Sequence, residues 1–201
     1  SLPRSAARIA TTPGLPPAVE FDWASPTAKH VGTVTHLLLE LIGEQGLAAW
    51  DPGQLPARGG FIRAELTARG VPRAELEAAA GRVSAAIATT LASARGRWIF
   101  DDAHLARASE RHYTAVLDGE QIEAVIDRSF VDGDGVRWIV DFKTGEHLGG
   151  SADAFLDREV ERYRPQLERY AHVMRLLDDR PIALGLYFPL LDGWREWRFG
   201  A

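Results

Sequence analysis

Two charged residues at the end of a predicted β-strand, Asp141 and Lys143, have the types and the spacing to do chemistry. The apolar and β-branched runs at 122–130 and 136–143 predict two strands, and the turn sequence Asp-Gly-Asp-Gly lies between them at 132–135. Because side chains alternate along a strand, Asp141 and Lys143 point the same way. Such a pair could hold a divalent metal and stabilise a metal-bound hydroxide, which phosphodiester hydrolysis requires. The alternative is an ordinary exposed ion pair.

Lysine is rare in this chain, and its rarity bears on the role of Lys143. Of the 23 basic residues only Lys29 and Lys143 are lysine, and the other 21 are arginine. Arginine would supply charge and carboxylate pairing equally well. The compact ammonium of lysine, with its movable pKa, suits direct contact with a nucleophile or a phosphate. The composition therefore adds weight to a chemical role for Lys143.

A further carboxylate, Asp127, lies on the preceding strand, and the register of the hairpin decides whether it joins Asp141. The two share a face only if the numbers of paired residues add up to an even total. A two-residue turn gives an odd total, whereas a three-residue loop at 133–135 with a left-handed glycine and a bulge gives an even one. We predict the second geometry. Carboxylates about 5 Å apart repel each other unless a cation lies between them. Mg²⁺ is the expected cation because it prefers oxygen ligands. The alternative for Asp127 is a turn cap.

A predicted helix at 31–44 carries a histidine that could complete a metal site. Its apolar residues follow helical spacing, and Gly32, His36 and Glu40 form a second stripe at intervals of four. Gly32, one turn before His36, leaves space for an approaching strand or ligand. The alternative for His36 is an unremarkable surface histidine.

The remaining pattern predicts a single domain that combines helices and strands. Residues 1–30 predict an extended lead-in or linker, and residues 31–201 the domain itself. Proline 72 should open a second helix that ends near Gly96, and Pro165 should start another helix afresh. The buried face of that last helix is expected to hold Leu167, Tyr170, Ala171, Met174 and Leu177. Further strands are expected at 98–100, 112–117, 184–190 and 194–199.

Composition excludes several classes of site and of protein. The 201 residues include no cysteine, which excludes disulfides, cysteine-ligated zinc and an iron–sulfur cluster. No apolar run approaches the ~20 residues of a membrane span, so we expect a soluble protein with no membrane contact. The absence of cysteine permits a reducing compartment, and we expect a cytoplasmic location. The net charge of −5 is opposite to the usual footprint of a nucleic-acid binder. Arg158, Arg162, Arg164 and Arg169 could contact a polyanion, or form a solvated helix face of mixed charge.

Four motifs follow one another along the chain: Gly-Thr-Val-Thr-His at 32–36, Ile-Asp-Arg at 126–128, Trp-Ile-Val-Asp-Phe-Lys-Thr-Gly at 138–145 and Gln-Leu-Glu-Arg-Tyr at 166–170. In this order they resemble the motifs of the RecB-like nuclease branch of the PD-(D/E)xK superfamily. The closing sequences at 186–190 and 193–197 look closest to the C-terminal nuclease domain of AddA-type UvrD-like helicase–nucleases. The resemblance implies a restriction-endonuclease-like α/β core, in which a central mixed sheet is flanked by helices.

The resemblance also implies roles for individual residues. It makes His36, Asp127 and Asp141 the metal ligands, with the carbonyl oxygen of Phe142 as a further ligand, and Lys143 the catalytic lysine. Two residues one helical turn apart, Gln166 and Tyr170, would contact DNA or support the site, and Glu110 resembles the glutamate on the strand before the hairpin. These last three assignments complete the set of implied site residues.

The activity implied by the resemblance is that of a Mg²⁺-dependent DNA exonuclease, with Mn²⁺ as a substitute metal. It would act on single DNA strands delivered by a helicase motor, with a partner subunit, in double-strand break end resection and recombinational repair. No Gly-x-x-x-x-Gly-Lys-Ser/Thr phosphate loop is present, so we expect a domain excised from a larger protein. The alternative is a catalytically inactive, nuclease-derived module that binds DNA or a partner subunit.

Overall fold

In the part of the chain that the structure describes, four α-helices, three strands, a fifth α-helix and two further strands follow one another and build one mixed sheet with helices on both faces. A computed structural model of the protein describes residues 26–117, 119–145 and 151–200. The helices are α1 (Pro26–Gln45), α2 (Gly59–Ala68), α3 (Leu76–Ala92), α4 (Ala94–Ile99) and α5 (Ala152–Arg175). The strands are β1 (Leu105–Leu117), β2 (Glu120–Val131), β3 (Arg137–Phe142), β4 (Ile182–Phe188) and β5 (Gly193–Arg198). Among these helices, none has the length and apolar character that crossing a membrane requires.

The sheet has the strand order β1-β2-β3-β4-β5 and is mixed. Strands β3 and β4 are parallel, and every other neighbouring pair is antiparallel. A parallel pair needs a long crossover, and α5 supplies it between the end of β3 and the start of β4. The predicted α/β architecture, a central mixed sheet flanked by helices, is confirmed.

Two apolar layers cover the sheet. Helices α1 to α4 pack on one face against side chains such as Phe130 and Val140. Helix α5 packs on the other face against side chains such as Ile126 and Ile139. Strands β3 and β4 are buried along their whole length because both of their faces are covered. By alternation from Ile139, Asp141 projects toward α5 from the end of a buried central strand.

The hairpin between β2 and β3 has the predicted register. Its ladder runs from Arg128 opposite Val140 to Val131 opposite Arg137, and paired numbers give an even total throughout. The loop closes with the Gly135 N–H donating to the Asp132 carbonyl at 3.1 Å, and Gly135 has φ 75°. This is the three-residue loop with a left-handed glycine. The side chain of Asp132 also accepts hydrogen bonds from the backbone of residues 134 and 136 and from the indole of residue 138.

Two of the predicted element types are wrong. Residues 98–100 were expected to form a strand, but Trp98 lies in α4, which ends at Ile99. The Ser93 hydroxyl caps this short helix by accepting from the Gly96 N–H at 2.8 Å, and Trp98 packs edge-to-face on the rings of Phe130 and Trp138. Local capping and aromatic packing therefore override the strand propensity of the aromatic residues.

Proline 165 does not restart a helix, since α5 is continuous from residue 152 to residue 175. Pro165 lies on the exposed side of α5, where water can satisfy the carbonyl that loses its donor, while Tyr163 and Leu167 are fully buried. The helix ends at Arg175, so Leu177 is 45% exposed rather than buried. The other four predicted buried residues of α5 are confirmed.

Helix boundaries also differ from the sequence predictions. Helix α1 begins at Pro26, so the last residues of the predicted lead-in at 1–30 are helical, and the rest of that lead-in lies outside the described residues. Helix α3 begins at Leu76 and ends at Ala92, inside the predicted span that opens at Pro72. Strand β4 begins and ends two residues before the predicted 184–190. None of these shifts moves a candidate site residue.

Candidate active site

The site begins where β2 and β3 stop pairing. Their ladder ends at the pair of Arg128 and Val140, and the next residue outward on each strand is Asp127 on β2 and Asp141 on β3. The N–H of Phe142 points toward β2 and donates to Asp127 Oδ2 at 2.7 Å, so a carboxylate takes the place of a backbone acceptor. Asp127 and Asp141 are 9% and 5% exposed. The end of this central hairpin therefore places two carboxylates in a largely desolvated position.

Helix α1 brings His36 onto the same strand end. His36 Nε2 lies 3.0 Å from the carbonyl oxygen of Phe142, and because a carbonyl only accepts, Nε2 is the donor. The other ring nitrogen, Nδ1, is 3.5 Å from Glu110 Oε1 and 3.6 Å from Asp127 Oδ2. A Cβ at Gly32 would lie 2.9 Å from Thr144 Oγ1. Gly32 therefore leaves room for Thr144, which lies just beyond the end of β3.

Glu110 reaches this cluster through an unusual backbone conformation. Its φ of 45° lies in the left-handed region, which costs roughly 1–2 kcal/mol for a residue other than glycine. In the β1–β2 ladder Ser109 pairs with Arg128 and Arg111 pairs with Ile126. The residues between them, Glu110 on β1 and Asp127 on β2, are not part of the ladder. The irregularity turns the Glu110 side chain toward His36. Backbone strain of this kind is concentrated at functional sites.

Electrostatics makes the cluster take up protons. Desolvation by burial, reinforced by the charge of Asp141, raises the pKa of Asp127 to about 7. Burial lowers the pKa of His36, but the carboxylates of Asp127 and Glu110 outweigh burial and raise that pKa to about 9. The crowded carboxylates are therefore stabilised by positive charge. A divalent cation could supply that charge in place of the protons.

The donors present fit a divalent metal. One ligand atom each from His36, Glu110 and Asp127 lie within 4.8 Å of one another among the described residues. An imidazole nitrogen and carboxylate oxygens suit Mg²⁺ or Mn²⁺. The sequence placed Asp141 in the ligand set, and the structure puts Glu110 in the cluster with Asp141 beside it. The carbonyl of Phe142 holds the imidazole.

Lys143 is not part of an exposed ion pair. Its Nζ lies 2.9 Å from Asp141 Oδ2, and the two side chains are 13% and 7% exposed. Burial lowers the pKa of Lys143, but the neighbouring Asp141 carboxylate raises it more strongly, so the net shift is upward. Lys143 is therefore a cation held against the cluster. In this state it can bind or neutralise an anion, and it is poorly suited to accept a proton.

Helix α5 closes the site from the other side. Gln166 Nε2 donates to the Tyr170 hydroxyl at 2.8 Å, one helical turn away. Gln166 Oε1 is buried and has no hydrogen-bond partner among the described residues. Burial and the charge of Asp141 raise the pKa of Tyr170 to about 12. Tyr170 thus packs in the core, as one interpretation had it, and also places its hydroxyl near the carboxylates.

The arginines of α5 belong largely to its solvated face. Arg162 lies 4.0 Å from Glu159, and Arg164 lies 3.7 Å from Glu168. Exposed pairs of this kind contribute little energy. Their pairing favours the mixed-charge interpretation over a preformed basic patch.

Two residues near the site have roles that the sequence did not reveal. The ring of Tyr163 lies under Lys143, with Nζ 3.7 Å from the ring centroid. The i, i+3 and i+7 spacing of Tyr163, Gln166 and Tyr170 was a signal that all three share a helix face. Arg128 is 1% exposed, and it ties the neighbourhood of Asp127 to other elements through bonds to the carbonyls of residues 43 and 99. Nothing in its motif indicated that this arginine would be buried.

Comparison with known proteins supports a nuclease site. A search of the curated proteins finds no match. The family model described as the PD-(D/E)XK nuclease superfamily matches residues 11–193. That span contains His36 on α1, Glu110 on β1, and Asp127, Asp141 and Lys143 at the end of the β2–β3 hairpin, as well as α5, which packs beside them. Because the match covers most of the chain and includes the whole of this site, the chain belongs to the PD-(D/E)XK nuclease superfamily.

Proposed function

We propose that this domain hydrolyses phosphodiester bonds in DNA with a divalent metal held by His36, Glu110 and Asp127. The observation that carries the proposal is the meeting of this ligand cluster with the Asp141–Lys143 pair at one strand end. Membership of a nuclease superfamily implies metal-dependent cleavage of DNA. The positive φ of Glu110 and the crowding of the carboxylates destabilise the fold without metal. A bound divalent cation would offset the repulsion between the carboxylates.

Each residue has a distinct part in the proposed reaction. The bound metal would polarise the scissile phosphate and lower the pKa of the attacking water. The hydrogen bond from His36 Nε2 to Phe142 fixes the imidazole so that Nδ1 faces the carboxylates. The Lys143 ammonium, oriented by Asp141, would bind a phosphate oxygen and stabilise the charge that develops in the transition state. The upward shift in the pKa of Lys143 keeps it charged for this role.

We further propose that the metal in the cell is Mg²⁺, with Mn²⁺ as a substitute, and that the domain is an exonuclease in a cytoplasmic helicase–nuclease. Such an enzyme would act on single DNA strands in double-strand break end resection and recombinational repair, with a partner subunit. The order of the motifs and the sequences of the closing strands support this assignment by their resemblance to AddA-type proteins. Residues that precede α1 would link the nuclease domain to a helicase motor.

The test is cleavage of end-labelled linear single-stranded DNA in Mg²⁺ or Mn²⁺, with EDTA as the control for metal. Lys143→Ala should abolish cleavage. Lys29→Ala is the matched control, because Lys29 is exposed on α1 and is the other lysine of the chain. Loss of activity in both variants, or cleavage that persists in EDTA, would contradict the proposed site. A folded wild type that binds DNA or a subunit without cutting it would favour the catalytically inactive module.

A further inference from the structure

We propose that Tyr163 is the positioning residue of the catalytic lysine, and that its ring face fixes the Lys143 ammonium beside Asp141. This inference rests on the proposed function, because it concerns the lysine of the same site. It assigns a purpose to a tyrosine that lies outside the Gln166–Tyr170 motif.

The contacts define a two-sided cradle for one ammonium group. Lys143 Nζ is 3.7 Å from the centroid of the Tyr163 ring and 2.9 Å from Asp141 Oδ2. Tyr163 is fully buried and belongs to the same apolar cluster as Val160 and Leu167 of α5. The ring is therefore held on a rigid element, and the lysine is confined between that ring and the strand end.

A ring face can hold an ammonium group and still leave one of its N–H donors available to the substrate. The negative face of an aromatic ring attracts an ammonium electrostatically, and the attraction grows when water is excluded. Lysine has three N–H donors, of which Asp141 can accept one and the ring face can receive another. One donor then stays available for a phosphate oxygen at the metal cluster. A second carboxylate in place of the ring would compete with the phosphate for the lysine.

The ring also limits the freedom of a long side chain. Lysine carries up to about 2 kcal/mol of rotamer entropy, and an ion pair alone leaves the four-carbon stem several ways to satisfy one carboxylate. Contact with a second, immobile surface removes most of these alternatives before substrate binds. The expected consequence is preorganisation of the charge that the transition state needs.

The first test measures by NMR whether the Lys143 side chain lies over the ring, and it does not depend on enzymatic activity. The chain has only two lysines, so a protein labelled with ¹³C at the lysine ε carbon gives two ε-methylene signals. Lys29 is exposed and serves as the internal reference. The Lys143 signal, assigned by its loss in Lys143→Arg, should lie upfield of the Lys29 signal because of the ring current of Tyr163.

Matched variants then separate the ring from other contributions to this shift. Tyr163→Phe should keep the upfield position, and Tyr163→Leu should move the Lys143 signal to that of an ordinary lysine. The guanidinium carbon of Arg162 lies 5.2 Å from the centroid of the same ring, so Arg162→Gln controls for this second cation and should leave the lysine signal unchanged. Coincident signals in the folded wild type, or an unchanged shift in folded Tyr163→Leu, would overturn the proposal.

The second test asks whether the contact matters for cleavage. Tyr163→Leu should lower kcat roughly 2- to 30-fold, the range of rates that a cation–π contact spans, and should leave KM for DNA nearly unchanged. Tyr163→Phe should restore most of kcat. Replacing residue 163 by phenylalanine, difluorophenylalanine and pentafluorophenylalanine in turn keeps the ring while weakening its negative face. In that series kcat should fall in step with the fluorine count.

The outcomes separate the two proposals. A wild type that does not cleave DNA overturns the proposed function, and the lysine signals still decide whether Tyr163 holds Lys143. An active wild type whose kcat does not respond to fluorination overturns the positioning role and leaves the nuclease assignment intact.

Discussion

Metal affinity should rise steeply with pH because protons occupy the cluster when metal is absent. The pKa of His36 is raised to about 9 and that of Asp127 to about 7. Metal binding requires both groups to lose their protons. At pH 7 only about one His36 side chain in a hundred is neutral, and about half of the Asp127 side chains are ionised. At pH 9 about half of the His36 side chains are neutral and nearly all of the Asp127 side chains are ionised.

These fractions set the size of the effect. Between pH 7 and pH 9 the neutral fraction of His36 rises about 50-fold and the ionised fraction of Asp127 about twofold, so Mg²⁺ affinity should rise about 100-fold. Each bound Mg²⁺ should release about one proton at pH 8, and this number should approach two near pH 6. Isothermal titration calorimetry in two buffers of different ionisation enthalpy counts these protons directly.

Stability without metal should move in the opposite direction. The folded pKa values of Asp127 and His36 both lie above the unfolded values of about 3.9 and 6.5, so the folded state binds more protons in each window. Each group therefore contributes stability at low pH. The contribution of Asp127 is lost between about pH 4 and pH 7, and that of His36 between about pH 6.5 and pH 9. The rise in Tm produced by a fixed Mg²⁺ concentration should accordingly grow with pH.

The matched control is His36→Gln, which removes the imidazole proton, so that the pH dependence that remains should come from the Asp127 carboxyl. Mg²⁺ affinity that is constant from pH 6 to pH 9 in the wild type would refute this electrostatic reasoning.

Three further changes have outcomes that the geometry fixes. Asp127→Asn should raise the Tm without metal, because it removes a buried carboxylate that is crowded by Asp141, and should abolish the Tm shift with Mg²⁺ in the same thermal scan. Gly32→Ala should lower the cleavage rate, since its Cβ would lie 2.9 Å from Thr144 Oγ1, and Thr144→Ala in the same chain should restore the rate. Asp132→Ala should lower the free energy of unfolding in urea by about 2 kcal/mol, because three N–H groups lose their acceptor; equal midpoints would contradict this.

The hairpin could be predicted from sequence because its signals are local. The turn sequence allows a two-residue or a three-residue loop, and the three-residue loop is predicted because its even register brings Asp127 and Asp141 together. The observed ladder has that even register. The stripe of Gly32 and His36 likewise follows from helical spacing. The mixed sheet is implied by the resemblance of the motifs, and the parallel pair of β3 and β4 confirms it.

Other features depend on tertiary contacts that sequence patterns do not record. Glu110 enters the cluster through a positive φ, which nothing in its neighbouring residues demands. Residues 98–100 have strand-like composition, and the Ser93 cap and the aromatic cluster around Trp98 instead favour a helix that includes Trp98 and ends at Ile99. The contact of Tyr163 with Lys143 joins α5 to β3 across a crossover, so only the folded chain brings the two together.

The central claim is that the strand-end cluster is the metal centre of a nuclease, and anomalous diffraction from crystals grown with Mn²⁺ at pH 8 tests it most directly. We predict one strong anomalous peak within bonding distance of His36 Nδ1 and of carboxylate oxygens of Glu110 and Asp127, with Lys143 beside it. A peak bound elsewhere, or no peak in crystals where these side chains keep their mutual contacts, would contradict the claim.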